Sequence, residues 1–195
     1  IQYDNTNPTN GQVKATLVNA SEDITITNLP EGQDYYIFDE NDSFTFEFVD
    51  RAGNTGTAVA TVTWIDKDAP NVYVEYSTTK LTNQSVTATL KGLEEGDIII
   101  SKGGDKHEFD SNGSFEFIVQ DRAGNESRVT AEVTWIDKEG PKLSLDYSIT
   151  SPTNNDVVVT LKGLEAEDTI ISEGGDTHEF DSNGSFEFIV QDRAG

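Results

Sequence analysis

The chain repeats itself. Asp50, Asp121 and Asp192 each open the string D-R-A-G and stand 71 residues apart, as do Trp64 and Trp135, each inside W-I-D-K. The run H-E-F-D-S-N-G-S-F-E-F-I-V-Q-D-R-A-G is identical at His107 to Gly124 and at His178 to Gly195. The first copy diverges more. It reads Y-I-F-D-E-N-D-S-F-T-F-E-F-V-D-R-A-G from Tyr36 to Gly53 and carries two extra residues between Leu17 and Phe38. Internal repetition constrains the fold more than any local signal, because one structural solution must serve every copy. A unit of about 71 residues is too long for a typical solenoid turn and suits a small autonomous domain. The expected boundaries are 1–67, 68–138 and 139–195. The first strand is incomplete in the first unit, and the last strand is missing from the third.

Within a unit the apolar residues alternate. Val86, Ala88 and Leu90 are separated by Thr87 and Thr89; Phe115, Phe117 and Val119 by Glu116 and Ile118. Val129, Ala131, Val133 and Trp135 alternate with Thr130, Glu132 and Thr134. A period of two, rich in β-branched and aromatic residues, is the signature of half-buried strands. Val72–Tyr76 and Asp97–Ser101 add two further strands, and no stretch shows a helical period. Turn signals fall between them: Gly103-Gly104, Asn112-Gly113 and Ala123-Gly124-Asn125. The expected fold class is all-β, with tandem antiparallel β-sandwiches. Phe46, Phe117, Phe188, Trp64 and Trp135 are the large side chains expected in the cores. The joints W-I-D-K-D-A-P (Trp64 to Pro70) and W-I-D-K-E-G-P (Trp135 to Pro141) are short, and their prolines stiffen the crossing.

Composition limits what such a chain does. Its formal charge of −23 argues against nucleic acid or an anionic membrane surface as a direct partner. It contains no cysteine, so stability rests on packing rather than disulfides. It has no apolar run long enough for a membrane-spanning helix. Nothing in it resembles a nucleophile elbow, a phosphate loop or a paired zinc-ligand motif. His107 and His178 occupy equivalent positions, which Tyr36 fills in the first copy. That exchange keeps an amphipathic ring and loses a metal ligand.

The string A-T-V-T-W-I-D-K-D-A-P, the T-N pair after each first strand (Thr9-Asn10, Thr82-Asn83, Thr153-Asn154) and G-S-F-x-F-x-x-x-D-R-A-G-N resemble the bacterial immunoglobulin-like repeats. These are carried in tandem by large surface and secreted proteins of Gram-positive bacteria. The resemblance covers essentially the whole chain. It implies Ig-like sandwiches in a row at the bacterial cell surface, and a non-catalytic stalk or spacer segment of an adhesin or surface fibre. Its partners would be neighbouring repeats of the same chain and other copies in a fibre. A glycan- or ligand-binding module, an accessory region of a secreted enzyme, and a fibre subunit completed by a neighbour's strand are the alternatives.

D-R-A-G-N itself admits two readings. As a hairpin loop, Asp121 caps the turn, Gly124 supplies an unusual φ and Asn125 tolerates the left-handed region. As part of a Ca²⁺ site, which the resemblance allows at junctions, the candidate ligands are Asp50, Asn54, Asp66, Asp68, Asp121, Asn125, Asp137 and Glu139. No cofactor is required by either reading, and Ca²⁺ is left open. Whether the loop meets its own unit's linker or faces the preceding unit is a question of geometry.

Overall fold

The structure, a computed structural model, describes residues 1–18 and 20–195. All its regular elements are β-strands. The first repeat contains β1 (Gln2–Tyr3), β2 (Val13–Thr16), β3 (Ile24–Ile26), β4 (Tyr35–Phe38), β5 (Asp42–Asp50) and β6 (Thr55–Val62). They form two antiparallel sheets, β1-β2-β4 and β3-β5-β6. The second repeat runs β7 (Tyr73–Tyr76), β8 (Val86–Lys91), β9 (Ile98–Ile99), β10 (Lys106–Phe109), β11 (Gly113–Gln120) and β12 (Glu126–Val133), with the same two sheet orders. The third contains β13 (Ser144–Tyr147), β14 (Val157–Lys162), β15 (Thr169–Ile170), β16 (Thr177–Phe180) and β17 (Val190–Gln191), as sheets β13-β14-β16 and β15-β17.

The chain divides into two compact units. One comprises Ile1–Val74, Leu90–Asp105 and Glu116–Val129; the other comprises Glu75–Thr89, Lys106–Phe115 and Thr130–Gly195. Each unit contains one complete joint between consecutive repeats.

In the first repeat the expected period of two becomes a two-layer core. Val13, Ala15 and Phe38 from one sheet bury against Phe46, Ala60 and Val62 from the other, with Ile65 closing the cluster. Register pairs large with small: Phe44 stands opposite Ala60 and Phe46 opposite Ala58. Bulk from one strand therefore fills the space left by the next. Burying a side chain such as Val62 or Phe46 contributes about 1.5–3 kcal/mol. Intervening residues face water, and Val59 on β6 is 58% exposed.

Two expectations about the core need correcting. Trp64 and Trp135 are half-buried, and the buried residues are the isoleucines that follow them, Ile65 and Ile136. The indole Nε1 donates to the Asn5 carbonyl at 3.2 Å in the first repeat and to the Thr78 carbonyl at 3.1 Å in the second. Each ring also meets a tyrosine edge-on, Tyr3 or Tyr76. A ring with a donor to satisfy sits at the sandwich rim, where a backbone carbonyl is within reach.

Phe188 is likewise half-buried, whereas Phe117, in an identical local sequence, is fully buried. The segment G-S-F-E-F-I-V-Q forms the eight-residue strand β11 in the second repeat but only the two-residue β17 in the third. β11 lies between β9 and β12, and no counterpart of β12 follows β17 in the sequence. Strand formation here is set by the neighbouring strand, as expected when β-propensity mainly reflects packing.

Replacing Phe46 with alanine should cost about 3–5 kcal/mol of stability, while Val59→Ala should change it by less than about 0.5 kcal/mol. Denaturant melting followed by Trp64 fluorescence, in a Trp135→Phe background, checks this. Equal midpoints for the two variants would refute the assigned inward face.

Candidate functional site

The D-R-A-G-N loops are rigid first through themselves. In the second repeat the Asn125 backbone N–H donates to Asp121 Oδ1, and Asn125 Nδ2 to Asp121 Oδ2, both at 2.8 Å. The Asp121 N–H returns a bond to the Asn125 carbonyl at 3.0 Å, closing the turn. Gly124 has φ +96°, a left-handed conformation that penalises any side chain. The first repeat repeats this scheme: Asp50 accepts from the backbone N–H groups of Ala52 and Asn54 and from Asn54 Nδ2, each at 2.8 Å. The arginines pair with carboxylates of a neighbouring loop: Arg51 with Asp23, Arg122 with Glu95 and Arg193 with Glu167. These pairs are exposed and worth about 0–1 kcal/mol each.

Hydrogen bonding to the charged form shifts the loop carboxylates. Asp50 lies below its ordinary value because Asn54, through side chain and then backbone, donates to it. For Asp121 the partial burial pushes upward, but donors from Asn125, Gly124 and Ala123 together outweigh it and hold the group low.

What the loop does becomes visible at the joints. Inside the first unit, the loop of the second repeat seats on the threonine-asparagine turn and the linker of the first. The Asn10 N–H donates to the Ala123 carbonyl at 2.9 Å. Asn125 Nδ2 reaches the Asp66 carbonyl at 3.0 Å, and the Ser127 hydroxyl donates to the Pro70 carbonyl. The turn that receives the loop is itself held by its own repeat. The Thr9 N–H donates to the Trp64 carbonyl at 3.1 Å, and the Asp66 N–H to the Thr9 carbonyl at 2.9 Å. Inside the second unit the joint is built again. The Asn83 N–H donates to the Ala194 carbonyl at 3.0 Å, and Thr82 repeats both bonds of Thr9, with the Trp135 carbonyl and the Asp137 N–H.

Burial reports the same event. Ala52, in the first copy of the loop, is exposed; Ala123, covered by the preceding repeat, is buried; Ala194 is intermediate. Nothing would approach a Cβ at Gly53, whereas at Gly124 the Asn10 side chain would lie 3.7 Å away. The linker also packs closely on its own repeat's following strand. A Cβ at Gly92 would stand 2.4 Å from the Asn71 carbonyl oxygen, so K-G-L requires its glycine there.

The loop thus faces the preceding repeat, as one of the two sequence geometries required. Among the proposed cation ligands, the structure brings Asp121 and Asn125 to the Asp66 backbone. It leaves Asp50 and Asn54 bonded within their own loop. Asp66 Oδ1 accepts from the Asp68 N–H, and Asp137 Oδ1 from the Glu139 N–H, both at 3.1 Å. The second unit holds an acidic cavity of about 420 Å³ at its joint, lined by Asp137, Glu139, Glu165, Glu167 and Asp192. Its acids are engaged by backbone donors or by Lys142 and Arg193. Among the described residues, no three histidine, aspartate or glutamate side chains gather as a metal site. A cation needing six to eight oxygens would have to displace these donors.

The other sequence candidates are structural. His107 stacks on Phe115 with centroids 4.0 Å apart, and His178 on Phe186 at 3.9 Å; Tyr36 stacks on Phe44 in the same way at 4.0 Å. Sequence reasoning missed Asn10, Asn83 and Ala123 as site residues. The available signal was an alanine kept in the same exposed-looking loop position in all three copies, with an asparagine kept beside the first strand.

No family model matches the chain, and no curated protein matches it.

Two outcomes follow from this geometry. Asn125 carries one more bond than Asn54, so Asn125→Ala should destabilise the chain by about 0.5–1.5 kcal/mol more than Asn54→Ala; equal losses in urea melts would remove the joint bond. Because Asp50 and Asp121 are held below the ordinary value of 3.8, their contribution is complete above that pH and is lost as pH falls through the folded values. Melting temperatures of the chain and of a D50A/D121A variant should therefore differ at pH 6 and converge in acid. A gap unchanged down to about pH 2 would contradict the assignment.

Proposed function

We propose that this chain is a non-catalytic stalk or spacer segment of a large bacterial cell-surface protein, whose direct partners are its own neighbouring repeats. One observation carries the reading: the same clasp, a D-R-A-G loop seated on a threonine-asparagine turn, is built at both joints. A module whose most specific polar loop serves to hold the next module is suited to setting distance and orientation. The sequence resemblance to bacterial immunoglobulin-like repeats supports an extracellular setting. So does the charge of −23, which favours solubility and mutual repulsion of neighbouring molecules. In this reading Ca²⁺ is not required at the joints, because backbone and amide donors already serve the carboxylates.

A spacer needs closed joints. Lys67 and Lys138 lie in the two linkers and are exposed, so trypsin reports joint opening directly. Cleavage after both should be slow in the intact chain. An N125A/S127A variant should be cut faster after Lys67 while Lys138 stays protected. Rapid cleavage at Lys67 in the unaltered chain would make the linker a loose tether and contradict the proposal.

A further inference from the structure

The third repeat presents a groove whose shape and polar fittings match a strand that the other two repeats supply from their own sequence. The groove encloses about 640 Å³ and is lined by Leu145, Tyr147, Val157, Phe180, Phe186 and Phe188, with Thr153 and Asn183 at its rim. All belong to one compact unit. Tyr147 and Leu145 are 46% and 47% exposed, and the phenylalanines, buried in the earlier repeats, are half-buried here. Several large apolar groups side by side in water are the usual mark of an interaction surface.

What covers this surface can be read from the chain itself. In the first repeat β6 lies against β5, with Ala58 and Ala60 opposite Phe46 and Phe44. Three polar fittings then fix its register. Tyr3 Oη donates to the Thr61 carbonyl at 3.0 Å and accepts the Thr61 N–H at 2.8 Å. The Asn41 side chain bonds both the N–H and the carbonyl of Ile65, each at 2.8 Å. Thr9 brackets Trp64 and Asp66 through its backbone.

The second repeat keeps all three. Tyr76 Oη accepts the Glu132 N–H at 2.9 Å; the Asn112 side chain bonds the Ile136 carbonyl at 2.9 Å and accepts the Ile136 N–H at 2.8 Å; Thr82 brackets Trp135 and Asp137. The corresponding residues of the third repeat are Tyr147, Asn183 and Thr153, and all three line the groove. Among the described residues, the Tyr147 hydroxyl and the Asn183 side-chain amide have no hydrogen-bond partner.

We infer that this groove is a strand-receiving site. Its occupant is an extended segment with the pattern Val-x-Ala-x-Val-x-Trp-Ile, that of residues 129–136, entering antiparallel to Phe186–Val190. Alternation provides specificity: inward Val, Ala and Val meet the aromatic floor, and the terminal Trp-Ile docks at Asn183 and Thr153. A slip of one residue would turn every apolar side chain outward. The site therefore lets another polypeptide carrying this strand join the chain by main-chain pairing. This inference is independent of the spacer reading, since a spacer whose groove takes no strand remains a spacer.

The test uses the whole chain and a synthetic peptide of residues 126–138. Titration followed by calorimetry, with amide exchange of the complex, should show one peptide bound per chain. Slowed exchange should be confined to Phe186–Val190 and their neighbours. A peptide with the inward and outward residues interchanged should bind at least about tenfold more weakly. Asn183→Ala should weaken binding without changing the melting of the free chain, which separates docking from folding. Absence of binding, equal binding of the interchanged peptide, or protection located elsewhere would overturn the inference. So would self-association of the chain that the peptide does not disperse, which would show that a second copy fills the groove by another contact.

Discussion

Each joint in this chain depends on a backbone N–H donated by an asparagine to the carbonyl of an alanine in the next repeat's hairpin loop. That bond is worth only about 1 kcal/mol net. Its consequence comes from the stiffness of both partners. The loop is closed on itself by an aspartate that accepts several donors, and the receiving turn is bracketed by its own repeat's tryptophan-to-aspartate backbone. Two preorganised surfaces lose little entropy on meeting, so few bonds suffice to fix the crossing. The prolines and the close approach at Gly92 remove freedom that a softer linker would keep.

The same residues illustrate how far β-structure depends on its surroundings. Residues 107–124 and 178–195 are identical, yet Phe117 is sealed in a core while Phe188 is not. The difference lies in the adjacent strand, which completes one sheet and has no counterpart beside the other. In the first two repeats that strand is locked by a tyrosine hydroxyl, an asparagine side chain and a threonine backbone, and all three fittings recur in the third. The closing strand is thus a separable part: the groove carries its own specification for what should fill it.

Much of the fold was legible in the sequence because strand alternation is a local property. Val86, Ala88, Phe117, Val119, Ala131 and Val133, read as inward from their spacing, are all fully buried. The tryptophans were misplaced because alternation reports which face a side chain takes, not how deep it sits. Their Nε1 groups reach carbonyls 59 and 57 residues away, and that requirement holds them at the rim. The short pairing of Ile98 and Ile99, where five strand residues were expected, reflects register with β11. The junction was least legible. Asp121, Gly124 and Asn125 were recognisable as turn chemistry, and turn chemistry is how they hold the loop's shape. Its purpose lies in contacts to Asn10 and Asp66, more than fifty residues away in sequence, which no local pattern encodes.

Amide hydrogen exchange by NMR tests the clasp most directly, because the repeats supply their own control. Asn10 and Asn83 donate their N–H groups only across a joint, while Asn154 holds the same place in the third repeat with no loop seated on it among the described residues. The account predicts that Asn10 and Asn83 exchange far more slowly than Asn154, whose amide should exchange near the rate of an open chain. If all three exchanged at that open rate, the loops would not be seated and the clasp would not exist in solution.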